Sequence, residues 1–442
     1  MRSFVAFVID GWRELLDKRS LQVLIVVAAV IVLALCSLSF EAPTVKDVLS
    51  DQAREINSFR HEIGFGGSFQ SEMNLEYETG EVRAATGDDS LSIPTDNTWA
   101  VDLTLQQDLD LNAILLSWKS FQEFRRTRKW PAPPDEKESG EITSRFTDED
   151  RERFLKERFE QFGYSKVEAR RVSAEPPTFR VFVHSEYPHE IRGAKLGMLF
   201  GAKTFDLDYL SLAELLIAIQ SGLANTFVGF IGMLLFVSVC APFIPNFLQK
   251  GTLDLVLARP IGRYRLLLFK YFGAVVFVLA FTFVFITACW FVLSVRSGFW
   301  NPWFLLCTVT MTLLFAVIHS VSVLVGLQTR NSNLATIAAL GIWFLSSTIG
   351  TLKHTAAQMF GDDLPRLKKA LEAAYVVLPK VGDLSYLNTV FLSRSHLSPE
   401  AMERSIGNLL PDVDWTFSLS TTVAFTLAIL ALAAWRFHRK DY

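Results

Sequence analysis

The sequence has little charge for its size. Asp, Glu, Lys and Arg make up 20% of its 442 residues, against about 25% in an average soluble domain, and several windows of 20 residues contain none of them. This distribution excludes a disordered chain and an ordinary cytosolic enzyme. The formal net charge of −3 gives no reason to expect a nucleic-acid partner. What remains is a polytopic membrane protein with one large polar insert.

Cysteines are also scarce, and all of them lie in apolar stretches. They are Cys36, Cys240, Cys289 and Cys307. The polar insert therefore has neither a disulfide nor a thiolate metal site. We interpret the four residues as small apolar side chains inside membrane helices.

Catalytic and nucleotide-binding motifs are missing too. His61 and His189 are each followed by Glu, as in a zinc-protease helix, but no second His stands four residues after either. A P-loop needs Gly followed directly by Lys, whereas Ala202 separates Gly201 from Lys203. We therefore predict no catalytic residue, no metal site and no cofactor, and no ATP hydrolysis by this chain.

Long apolar runs predict six membrane-spanning helices, since a hydrocarbon core of about 30 Å needs roughly 20 apolar residues. They are Leu21–Phe40, Gly222–Phe243, Tyr271–Val295, Trp303–Leu327, Leu334–Leu352 and Trp415–Trp435. The first run is longer than the 7–15 residues of a signal peptide, which favours an uncleaved anchor. The predicted fold class is an all-α polytopic membrane protein with six transmembrane helices and a large α+β extracytoplasmic domain inserted between the first two.

The insert, residues 41–214, is long enough to bury its own core. Alternating apolar residues predict strands at Trp99–Leu105 and Thr178–Glu186. Helical spacing predicts helices at Leu111–Trp130 and at Asp148–Phe162, the second closed by Gly163.

Basic residues predict the orientation of the chain. Lys and Arg cluster before the first span, between the second and third spans, and after the sixth. Because such clusters mark cytoplasmic loops, we expect both termini in the cytoplasm and the insert outside. His319 is the only ionisable residue in the fourth span. A proton relay is one interpretation of it, but we favour a neutral His hydrogen-bonded to a neighbouring helix.

The loop between the second and third spans, residues 246–270, is the most informative stretch. Thr252 can cap a short helix with Asp254 in its first turn, and Pro260 ends it. Leu253, Leu255, Val256 and Leu257 supply an apolar surface. A short amphipathic helix of this kind is either a docking element or a headgroup anchor.

The same stretch resembles the ABC-2 type permeases, the membrane subunits of ABC transporters. Their loop commonly reads G-T-L-[DE]-x-L-L-[SA]-R-P-[IV]-[SG]-R, and the matching residues that we assign to coupling with an ATPase are Gly251, Thr252, Asp254, Leu257, Arg259, Pro260 and Arg263. The family often has an acidic residue before the Gly-Thr pair, where this chain has Gln249-Lys250. The resemblance covers the first forty residues and about Leu215 to the end.

The apolar runs and the resemblance together predict a domain plan, in which the insert is not part of the family's minimal pattern. The plan comprises a cytoplasmic amphipathic interface helix (1–20), the first span (21–40), the insert (41–214), spans two to five with the coupling loop (215–352), an extracytoplasmic or re-entrant segment (353–414), and the sixth span with a cytoplasmic tail (415–442). Residues Pro365–Leu392 could supply the re-entrant segment.

The resemblance also implies a function and partners. The chain would be a permease that couples ATP hydrolysis by a separate ATPase subunit, in two copies, to export or extracytoplasmic work. It would pair with a second permease subunit, identical or different, and contact membrane lipid in the inner membrane of a prokaryote. The alternative is a membrane-anchored sensor or assembly protein whose ectodomain binds a ligand or partner.

Overall fold

A computed structural model of the protein describes residues 19–54, 58–63, 67–72, 77–86, 91–94, 97–105, 147–186, 188–248, 262–359, 365–393 and 413–439. Its α-helices are α1 (Arg19–Cys36), α2 (Val45–Arg54), α3 (Asp148–Gln161), α4 (Leu212–Gly222), α5 (Met233–Cys240), α6 (Phe243–Phe247), α7 (Arg263–Ser297), α8 (Cys307–Thr329), α9 (Ser332–Met359), α10 (Pro365–Val377), α11 (Val381–Ser393) and α12 (Trp415–Arg439). Its strands are β1 (Ser39–Glu41), β2 (Ser58–Ile63), β3 (Gly67–Glu72), β4 (Tyr77–Thr79), β5 (Arg83–Ala84), β6 (Thr98–Leu105), β7 (Lys166–Ser173), β8 (Thr178–His184), β9 (Arg192–Met198) and β10 (Lys203–Ser211). A π-helix (Leu223–Gly232) joins α4 to α5, and 3₁₀ helices cover Pro188–Glu190 and Pro302–Leu306.

The chain divides into two compact units. The insert unit comprises Phe40–Met198 and Ala202–Leu215. The membrane unit comprises the chain up to Ser39, the three residues Leu199–Gly201, and the chain from Leu216 onward.

Antiparallel strands build the insert unit. Its largest sheet has the order β4-β6-β8-β7, with β5 also paired to β6. A second sheet has the order β1-β9-β10, and β2 pairs with β3. The core contains the side chains of α3 that face inward, Phe154 and Phe159, together with Phe179 and Val181 of β8. The strands predicted near Trp99 and Thr178 are confirmed as β6 and β8.

Helix α3 starts and ends where its sequence predicts. Thr147 and Asp150 form a reciprocal capping box at its first turn. Gly163 follows the helix with a φ of +101°, a conformation that favours glycine because it has no Cβ. The predicted helix at Asp148–Phe162 is therefore confirmed.

An ion cluster joins α3 to β7. Arg151 Nη1 and Arg171 Nη1 each donate to Asp148 Oδ1 at 2.7 Å. Partial burial tends to raise the pKa of Asp148, but these hydrogen bonds and charges outweigh burial and lower that pKa. The stability that the cluster contributes is therefore present at neutral pH and is lost as the pH falls through the native pKa of Asp148.

In the described part of the chain, five helical stretches are long and apolar enough to cross a membrane. They are Leu212–Phe247, Arg263–Ser297, Pro302–Thr329, Ser332–Lys353 and Trp415–Arg439, and they include the second to sixth predicted spans. The second begins ten residues earlier than predicted, since α4 continues through the π-helix into α5.

The first predicted span is shorter than expected. Within the described residues, the apolar part of α1 is Leu21–Cys36, about 24 Å at 1.5 Å per residue, and the chain enters β1 at Ser39. The count of six long spans is therefore not confirmed. Helix α1 still belongs to the membrane unit and packs against α5 and α7.

Helix α8 lies at the centre of the membrane unit. In the span that contains it, Pro302–Thr329, 72% of the most apolar 18-residue segment is buried, whereas the value for Arg263–Ser297, which is α7, is 33%. Two helices, α10 and α11, occupy the predicted re-entrant region. Polar contacts bind α11 to its neighbours: Asn388 Nδ2 donates to Asn225 Oδ1 at 3.0 Å, and Asn301 Nδ2 donates to the carbonyl of Leu392 at 3.2 Å. Helix α11 is thus packed into the unit.

Two predicted helices fall outside the described residues. These are the helix at Leu111–Trp130 and, up to residue 18, the interface helix at 1–20.

Candidate functional site

The predicted coupling segment lies mostly outside the described residues. The structure describes the chain up to Leu248 and again from Gly262. Of the predicted site residues, Gly251, Thr252, Asp254, Leu257, Arg259 and Pro260 therefore lie outside it. Arg263 is described and is the first residue of α7, after Gly262 as N-cap.

Both ends of this segment enter one hydrophobic cluster, which we call the loop-anchor cluster. From the described residues up to 248 it takes Ile244, Phe247 and Leu248; from α7 it takes Leu266, Leu267 and Tyr271; Val323 and Leu327 come from α8, and Leu430, Ala433 and Phe437 from α12. Every one of these side chains is buried. Since packed interiors have low compressibility and transmit strain, a force on the loop would reach four spans at once, the one that ends at Phe247 and those of α7, α8 and α12.

The chain enters the loop through a close contact between α6 and α8. A Cβ built on Gly326 would lie 3.3 Å from Cδ of Pro245 and 3.6 Å from Cβ of Ala335. Glycine at 326 therefore lets the proline ring approach α8 closely. Lys270 of α7 places its ammonium 6.0 Å from the ring centroids of both Phe243 and Phe247, within the range of cation–π attraction.

The chain leaves the loop through a basic and aromatic surface. Tyr264 and Arg265 are exposed at the start of α7. Nε of Arg265 donates to Oη of Tyr264 at 3.2 Å. This end of α7 can offer stacking and charged hydrogen bonds to a partner, next to the predicted coupling residue Arg263.

An aromatic stack continues from the cluster into the membrane unit. Oη of Tyr271 donates to the carbonyl of Ala316 at 2.9 Å. The His319 ring lies between the rings of Tyr271 and Phe315, with centroid distances of 5.7 and 5.0 Å and nearly parallel planes. Tyr271 thus connects α7 to α8 one residue after the predicted loop ends.

His319 does not make the predicted hydrogen bond to a neighbouring helix. It is 1% exposed, and neither ring nitrogen has a hydrogen-bond partner among the described residues. The prediction was wrong because stacking places aromatic faces, rather than polar groups, around the ring.

We expect His319→Phe to raise the thermal midpoint of the protein in detergent. The substitution keeps the stacked ring and removes buried nitrogens, each of which costs about 1–3 kcal/mol when unpaired. His319→Ala is the matched control and should lower the midpoint, because it leaves a cavity. A lower midpoint for His319→Phe would contradict this account and indicate that the nitrogens have a partner.

Only some of the residues of this site could be identified from the sequence. Lys270 lies in the predicted loop and Tyr271 directly follows it, but their contacts with Phe247 and Ala316 depend on tertiary packing. The close contact of Gly326 could not be predicted from the sequence, since its partner Pro245 is 81 positions away. In the described part of the chain, no group of His, Cys, Asp and Glu converges as a metal site would require.

The loop-anchor cluster thus packs the two ends of the loop together with several spans. The family model described as ABC-2 family transporter protein matches residues 12–442. The chain belongs to the ABC-2 transporter family. It is a multi-pass membrane protein and a permease subunit of an ABC transporter, a subunit class that is not itself catalytic.

The match runs through residues 41–214, so the insert of this permease lies within the matched range. No curated protein matches the chain.

Proposed function

We propose that this permease converts ATP hydrolysis on separate ATPase subunits into movement of its spans, for export or for work on the extracytoplasmic side. Residues 251–260 would form the docking helix. The observation that carries the proposal is the loop-anchor cluster, in which both ends of the loop pack with α7, α8 and α12.

The predicted docking helix has a defined chemistry. Thr252 would cap it, and Asp254 would interact with the positive end of its dipole. Leu257 would enter an apolar groove on the ATPase, and Arg259 would lie at the solvated rim before Pro260 ends the helix. Movement of the ATPase would then pull on Leu248 and Arg263, the two sides of the loop, and rotate the attached spans as rigid bodies.

The assembly follows from this mechanism. Two ATPase copies would dock on two permease subunits, this chain and a second copy or a related chain, since one docking helix serves one ATPase. The permease would lie in the inner membrane of a prokaryote, surrounded by lipid and with both termini in the cytoplasm. No nucleic acid takes part.

We expect the purified permease alone to hydrolyse no ATP, because its sequence has no phosphate-binding glycine loop with the adjoining Lys. Hydrolysis should appear when the ATPase subunit is co-expressed and co-purified, measured as phosphate release. The ATPase with a mutated Walker Lys is the control for contaminants. Hydrolysis by the isolated chain, or failure to co-purify any ATPase, would favour the sensor or assembly alternative.

Single cysteines test the orientation of the chain. In a background without the four native cysteines, Ser139→Cys should react with an impermeant thiol reagent in cells with a permeabilised outer membrane. Ser332→Cys should react only after the inner membrane is opened, because the basic loops predict that position 332 faces the cytoplasm. The reverse labelling pattern would overturn the orientation.

A further inference from the structure

The turn between β9 and β10 presents two large apolar side chains to the surroundings. Leu199 is 68% exposed and Phe200 is 75% exposed. Leu199, Phe200 and Gly201 have φ values of +53°, +60° and +88°. Hairpin turns that need positive φ normally use Asn, Asp or Gly. A turn that faces only water therefore gives no reason for Leu and Phe at these positions.

The position of this turn suggests what covers it. Leu199–Gly201 belongs to the membrane unit. The backbone N–H of Phe200 donates to the carbonyl of Ser37 at 2.7 Å, directly after the end of α1. The next carbonyl, that of Leu38, accepts a hydrogen bond of 2.6 Å from Nε of Arg296, in the last turn of α7. The turn therefore lies at the level where two membrane helices end.

Interfacial residues mark the same level. Trp300 and Trp303 follow α7 directly and are both exposed. Trp is enriched where membrane helices meet the headgroups, and Arg often lies at helix ends there. Close to the ends of the same two helices, Leu33 of α1 is 68% exposed and Val295 of α7 is 57% exposed. The apolar turn thus continues the lipid-facing surface of α1 and α7.

We propose that Leu199 and Phe200 insert into the bilayer at the boundary between headgroups and acyl chains. Lipid covers both side chains, which offsets the cost of two non-glycine residues at positive φ. The proposal commits to lipid over a protein partner because the turn is hydrogen-bonded to the end of a membrane helix. It is independent of the proposed ATPase coupling.

Spin labels on the full-length permease test this insertion. Phe200→Cys is labelled in a background without the native cysteines and reconstituted into vesicles of phosphatidylethanolamine and phosphatidylglycerol. Collisions with oxygen, which partitions into lipid, are compared with collisions with a water-soluble nickel chelate. The matched control is Val172→Cys on β7, an apolar residue that is 52% exposed in the insert unit.

Insertion predicts that oxygen exceeds the nickel chelate at position 200 and that the order reverses at position 172. Equal access of the chelate to both positions would overturn the proposal. Protection of position 200 from both reagents would overturn it as well, because that result indicates a protein partner.

Hydrogen exchange gives a second test that does not need a label. The double variant Leu199→Ser, Phe200→Ser should exchange the residue-200 amide about tenfold faster or more than wild type in vesicles, because the lipid contact that holds the turn is lost. In lipid-free amphipol the two proteins should exchange alike. A similar difference in both media would show that the side chains stabilise the turn without lipid, which would also overturn the proposal.

Discussion

Leu257→Asp should abolish retention of the ATPase subunit in a pull-down with the membrane-embedded permease. A buried anchor at the centre of an interface contributes about 2 kcal/mol or more, or about thirtyfold in affinity. The Asp side chain also brings an unpaired charge into an apolar groove, which adds a large desolvation cost. The measurement is the amount of ATPase retained at equal membrane levels of the two permeases.

Two control variants separate docking from lipid attachment. Arg259→Ala should weaken retention only slightly, since a charge pair at a solvated rim contributes about 0–1 kcal/mol. Leu257→Ala should fall between the two, because it removes the anchor without adding charge. If residues 251–260 were a headgroup anchor, Leu257→Asp would change little, because the flanking spans already fix the loop at the membrane. Full retention by Leu257→Asp would therefore contradict the coupling mechanism.

Gly163→Ala should destabilise the insert unit more than any conservative surface substitution. A Cβ at residue 163 would lie 2.0 Å from the carbonyl oxygen of Glu190 and 2.7 Å from its carbonyl carbon. Both contacts involve backbone, so no side chain can rotate away. The adjoining hydrogen bond, from the N–H of Arg192 to the carbonyl of Phe162 at 3.0 Å, would break if the strand moved. We expect a loss of about 3 kcal/mol or more in the free energy of unfolding.

Gly193→Ala is the matched control in the same unit. Its φ of +109° is close to that of Gly163, but the nearest atom to its Cβ is Cγ1 of Val48 at 3.4 Å, an ordinary contact. It should cost about 1–2 kcal/mol from backbone conformation alone. Hydrogen exchange of the β8 amides in the full-length protein measures both variants, with exchange about a hundredfold faster or more for Gly163→Ala. Equal effects would show that the contact with Glu190 relaxes at little cost.

Local patterns explain the elements that the sequence predicted correctly. The second to sixth spans were predictable because the bilayer requires long apolar runs, and such runs can be counted without knowing any neighbour. Helix α3 was predictable because Thr147, Asp150 and Gly163 act on the nearest turn of backbone. The family resemblance was visible because the residues that carry it are contiguous in the chain.

The end of the first span could not be predicted from local sequence. Leu21–Phe40 is apolar enough for a full span, yet the chain leaves the helix after Cys36 because Ser39 to Glu41 form strand β1. Strand pairing with a segment about 150 residues away overrides helical propensity at these positions. Hydropathy counts apolar residues, but it contains no information on such a distant partner.

By itself, the sequence determined that this chain is a membrane protein with a large polar insert, since composition and hydropathy depend only on which residues are present and in what order. It also identified the loop that carries the proposed coupling residues. Tertiary structure decided that Phe247, Tyr271 and Phe437 meet in one cluster, and that His319 is stacked between aromatic rings. Contacts of this kind join residues tens to hundreds of positions apart, and packing of the whole unit selects them among many chemically similar alternatives.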